Sequence, residues 1–123
     1  MQKVNLTDQE LNEWVAKEIF KYEEVKLMKE PFAPQIMGLN ISNISNHYYD
    51  FCNDLNHTHL MEEKIREMGD DKMSEYSFEL CKLLDRIGTD FDEIKTAYFD
   101  LLHASARQRC EAAYVAFEGK NGI

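Results

Sequence analysis

Five residues carry the strongest hint of chemistry: Asn53, Asp54 and Asn56 at the start of one helical pattern, and Arg107 and Arg109 at the start of another. A helix N-terminus offers free N–H groups and partial positive charge, and guanidinium groups grip phosphate or carboxylate bidentately. Brought together, these residues would hold a small anionic, nucleotide-like ligand. The same residues have a plainer employment, which carries more weight. Asn53 or Asp54 would cap a helix, and Arg107 and Arg109 would pair with Glu111 or with surface acids.

Other reactive types are less suggestive. His59 and Glu63 share a helix face at i, i+4, but His57 and His59, two apart, point in different directions and do not chelate one ion from a helix. They read as ordinary half-exposed histidines, and no metal is assigned. Cys52, Cys81 and Cys110 show neither C-x-x-C spacing nor a recognisable nucleophile turn, so they read as small, mostly buried, reduced thiols. A spatial pairing of a cysteine with His103 stays open. Asp70 with Asp71 and Asp90 with Asp92 sit where acids favour a helix dipole. With five glycines and neither a G-x-G-x-x-G nor a Walker pattern, phosphate loops are lacking. No catalytic residue and no cofactor is assigned.

The elements that must position these residues follow from spacing. Thr7-Asp8-Gln9-Glu10 forms a capping box, and Leu11, Trp14, Val15, Ile19 and Tyr22 then recur as one stripe, with Asn12, Glu13, Lys17 and Glu18 facing away. This predicts a helix over 8–22. Glu24 to Met28 and Gln35 to Leu39 read as a small hairpin, interrupted by Pro31 and Pro34, and the Asn/Ser/Ile mixture from Asn40 to Asn46 as a loop. Leu55, Thr58, Met61, Ile65 and Met68 step helically towards Gly69. Over 74–87 the apolar positions fit a helix, preferred over a strand, although Tyr76, Phe78 and Leu80 alternate. Gly88 is expected to end that element, and an acidic segment leads to an apolar patch from Ala97 to Leu102. Ser105 to Gln108 is a second capping box, opening a helix with Ala106, Cys110, Ala113, Tyr114 and Phe117 inside and Gly119 at its end.

Composition bounds the rest. The chain has 123 residues, 44% of them hydrophobic, and a net charge of −9 from 23 acids against 14 bases. This is enough apolar material for one packed core, so a single domain over 1–123 is expected. Without a basic stripe, direct nucleic-acid binding is not expected. No apolar run approaches the roughly 18 residues a membrane span requires, and no export signal is evident, so a cytoplasmic location is expected. An acidic surface is most often a solubility device, and otherwise meets a basic partner.

Three blocks carry a family resemblance: Leu6 to Glu18; Asp50 to Asn56 with His59 and Glu62 to Lys64; and His103 to Ala112. In these the chain resembles small phage and prophage proteins, some carrying the name phage ABA-sandwich domain. It departs from them at Ile19-Phe20-Lys21, where relatives often have Met-Gly-Trp. The resemblance implies a phage origin, a host-cell cytoplasmic location and an α+β fold, helix-dominated with a small antiparallel sheet or hairpin. It brings no established activity. The expected function is a non-enzymatic, counter-defence binding protein whose acidic surface blocks a host defence or nucleic-acid-handling protein. Two alternatives stand beside it: a homo-oligomeric sponge for a nucleotide-like immune signal, and a phage accessory protein without a defence role.

Overall fold

The computed structural model describes residues 4–40, 43–84 and 103–119, with backbone alone at 40 and 43–47. The expected stop at Gly88, the acidic segment and the apolar patch from Ala97 to Leu102 lie outside the described residues. What is described is an α+β arrangement in which helices predominate around a small antiparallel sheet.

Helix α1 spans Asp8–Trp14 and opens on the expected capping box. The Thr7 hydroxyl accepts from the Glu10 N–H at 3.1 Å, and the Glu10 carboxylate accepts from the Thr7 N–H at 2.8 Å. The helix widens into a π-helical turn over Val15–Ile19, where the Phe20 N–H reaches back to the Val15 carbonyl at 3.2 Å. It therefore ends short of the expected Tyr22. Lys21 takes a left-handed conformation (φ 59), unusual for a non-glycine, and turns the chain towards the sheet. Tyr22 still joins the core, but by this turn. Its ring lies so close to Gly38 that a Cβ there would come within 2.7 Å, which explains the glycine in mid-strand.

The sheet has the order β1-β2-β3. Strands β1 (Glu24–Leu27) and β2 (Ile36–Asn40) form the expected hairpin, pairing Glu24 with Leu39 and Leu27 with Ile36. The loop expected over Asn40–Asn46 is corrected: Asn43–Tyr49 is strand β3, antiparallel to β2, pairing Ile36 with Tyr49 and Gly38 with His47. Local preferences of Asn and Ser yield to a ladder already templated by β2, with an irregularity between Gly38 and Asn40 absorbing the mismatch.

Helix α2 (Leu55–Glu67) is capped by Asp54, and α3 (Asp70–Leu83) follows through Gly69, whose φ of 113 suits glycine. On α2 the buried positions are Thr58, Met61 and Ile65, whereas Leu55 and Met68, expected on the same stripe, stand exposed at its ends. The segment from Ser74 is helical as far as Leu83. Tyr76 and Leu80, at i and i+4, are buried while Phe78 is 54% exposed, which settles the period. Helix α4 (Ala106–Glu118) begins with the second capping box, and Ala112, Ala113 and Ala116 let it pack closely on α3. Leu11, Val15, Ile36, Phe51, Met61, Ile65 and Cys110 fill the centre.

Candidate functional site

Three element ends converge on one polar node: the start of α1, the exit of β3 and the start of α4. Asp8, in the first turn of α1, receives Arg107 Nη1 at 2.8 Å and Asn53 Nδ2 at 3.2 Å. Arg107 Nε also donates to Glu111 at 3.0 Å, and its Nη2 to the Leu6 carbonyl at 2.7 Å. Burial works against the charged guanidinium, but Glu111 and Asp8 more than offset it, so its pKa rises. Asn53 Nδ2 lies 3.0 and 3.1 Å from the two carboxylate oxygens of Asp50, completing a chain from Arg107 through Asp8 and Asn53 to Asp50.

Asn12 forms the floor of this node. Expected to face away, it is fully buried: Nδ2 donates to the Pro34 carbonyl at 3.1 Å and to Asp50 at 3.0 Å, and Oδ1 accepts from the Cys52 N–H at 3.0 Å. An amide inside a core is tolerable only when so satisfied. One signal was present in the sequence, since Asn12, Val15, Ala16 and Ile19 share the 3-and-4 spacing of a single face. Its partners, distant in sequence, gave none.

Of the residues singled out for an anion, Asn53 and Arg107 thus meet across Asp8. Asp54 caps α2 by accepting from the Asn56 N–H at 2.9 Å, and the Asn56 side chain is exposed. Arg109, 8% exposed, turns elsewhere: its Nε donates to the Ala104 carbonyl at 3.1 Å and its Nη1 to Glu62 at 2.8 Å. The same Glu62 oxygen accepts the Tyr76 hydroxyl. Burial first, and then Glu62, push the Tyr76 pKa far up, so it remains a donor. This triad ties α2, α3 and α4; from sequence Glu62 stood out only as a neighbour of the histidines and Tyr76 only as an apolar position of its helix.

His57 accepts the Asp50 N–H on Nδ1 at 3.0 Å, and its ring meets Tyr49 edge-on at 5.3 Å. His59 is exposed. Among the described residues no three His, Cys, Asp or Glu side chains gather as metal ligands would. Cys110 donates to the Phe51 carbonyl at 3.3 Å, and its hydrogen bond with Cys52, together with burial, raises its pKa well above the usual thiol value. It is a thiol at neutral pH, not a thiolate nucleophile.

Two open grooves combine aromatic rings with acids. One, of about 410 Å³, runs between Phe20, Tyr22, Tyr49 and α2, where the Tyr22 and Tyr49 hydroxyls bond each other at 2.8 Å. The other, of about 310 Å³, lies between α1 and α4, with Trp14 and Tyr114 beside Glu10, Glu13, Lys17 and Glu18. No family model, curated protein or solved structure matches the chain. No described helix is long and apolar enough to cross a membrane.

Proposed function

We propose that this chain is a phage-encoded, non-enzymatic binding protein, a counter-defence factor whose acidic surface docks on a basic host defence or nucleic-acid-handling protein and blocks it. The observation that carries this reading is how the charge is disposed. The net charge is −9, and the two arginines considered for an anionic ligand already hold carboxylates, Arg107 those of Asp8 and Glu111 and Arg109 that of Glu62. A nucleotide-like signal would have to displace those acids, so the sponge reading is the weaker one. Exposed acids such as Glu63 and Glu67 on α2 sit only in long, solvent-screened pairs with Arg66 and Lys64, at 3.6 and 3.8 Å, and these exchange readily for the cations of a basic groove.

The test is to express the chain in bacteria that carry cloned defence systems and in matched strains without them, and to measure phage plating. Restored plating in at least one defence-bearing strain, with none of the matched strains affected, is the expected result. Equal plating with and without the protein across the panel would refute the counter-defence role.

A further inference from the structure

Resting on that reading, we infer that the groove between α1 and α4 is the face that meets the partner, and that it seats an arginine or lysine side chain of a basic protein segment against Trp14 and Tyr114. The two rings touch edge to face, 5.2 Å apart between centroids at 70°, and both line the groove at this corner, while Phe117 backs Trp14 edge-on at 5.9 Å. The indole is fixed in place, because Nε1 donates to Glu118 at 3.1 Å, and this adds a carboxylate beside the corner. Glu10, Glu13 and Glu18 line the groove against a single cation, Lys17. Lys17 pairs with Glu13 at 2.9 Å, so the groove already accommodates one ammonium group.

Aromatic faces and carboxylates together select a cation that is partly desolvated, which is the chemistry of a basic side chain and not of a phosphate or an apolar peptide. The neighbouring helices already use the same pairing, with Lys72 Nζ lying 5.0 Å over the Phe117 ring. The groove between Phe20, Tyr22, Tyr49 and α2 also sets rings beside acids, Glu63 and Glu67, but the α1–α4 groove carries three carboxylates against one lysine and holds the tryptophan, the ring that attracts cations most strongly. It is therefore the better seat of the two for a basic side chain.

Trp14 is the one tryptophan in the chain, so its emission reads this groove directly. The experiment is a titration of the full chain with a hexa-arginine peptide at low salt, following Trp14 fluorescence together with affinity by calorimetry. It is repeated on two charge reversals of equal size, Glu13→Lys with Glu18→Lys in the groove and Glu63→Lys with Glu67→Lys on α2. A saturable change in Trp14 emission is expected, with affinity lowered about tenfold more by the groove reversal than by the α2 reversal, because new ammonium groups repel the cation from the rings that would hold it. Should the groove reversal misfold, the wild-type emission alone decides.

Equal loss in both reversals, or binding that leaves Trp14 emission unchanged, would overturn the groove while leaving the acidic-surface reading intact. No binding of the peptide at all would overturn both. A Trp14 change that follows protein concentration without peptide would assign the groove to a second copy of the chain and overturn the basic partner.

Discussion

Arg107 and Arg109 stand two residues apart in the first turns of α4, and both are held by carboxylates, yet they do different work. Arg107, with its side chain 27% exposed, joins the N-terminal end of α1 to α4 through Asp8, Glu111 and the Leu6 carbonyl. Arg109 is almost sealed and locks α4 to α2 and α3 through Glu62, which also takes the Tyr76 hydroxyl. Positions i and i+2 on a helix lie some 200° apart, so the two guanidiniums are sent to separate networks. A pair of cations close in sequence is therefore a weak sign of a shared anion site unless a turn or strand brings them to one face.

The contrast between a sealed and a half-open ion pair should appear in stability. Arg109→Met leaves the partly buried Glu62 and the Ala104 carbonyl without the sealed guanidinium and is expected to cost about 3 kcal/mol in urea unfolding, the largest single effect. A loss below about 1 kcal/mol would mean that the triad is solvated in solution. Asn12→Ala, which strips the Cys52 N–H, the Pro34 carbonyl and Asp50 of a partner, is expected to cost about 2–3 kcal/mol by the same measurement. Arg107→Met should cost only about 1 kcal/mol, because the guanidinium is itself 27% exposed and Asp8 39%, so water screens the pair and replaces it. That loss should shrink further in high salt, whereas the Arg109 effect should hardly change.

The smallest expected effect lies in the α1 capping box. The Thr7 N–H and hydroxyl hold the Glu10 pKa below 4.5, so the folded state binds this proton less readily than the unfolded one. The stabilisation is therefore fully present above about pH 4.5 and is lost as pH falls through the folded value. Glu10→Gln should flatten that part of the stability profile between pH 5 and 3, and a profile unchanged by the substitution would remove the capping box as its source.

Both capping boxes were legible because every partner lies within three residues. The Arg107–Glu111 pair was legible for the same reason, at i, i+4. The rest of the node was not, since Asp8 and Arg107 are 99 residues apart and Asn12 finds Asp50 across 38. Nothing in a local pattern distinguishes a buried asparagine from a solvated one when its acceptors arrive from another element. Strand β3 was hidden in a different way, because its Asn and Ser content favours a loop until β2 supplies a hydrogen-bonding edge. The Trp14 corner went unnoticed because Tyr114, 100 residues on, was read as core alone, while the structure leaves both rings half-buried beside acids.

The arginines are engaged in holding the fold, which on the proposed function leaves binding to the acidic surface. The most direct measurement follows the side-chain Nε–H signals of Arg107 and Arg109 by NMR while a cyclic dinucleotide is added to the full chain. The expected result is that both signals stay in place up to millimolar ligand. A saturable shift of either signal at micromolar concentration would contradict the claim and place an anionic ligand on the arginines.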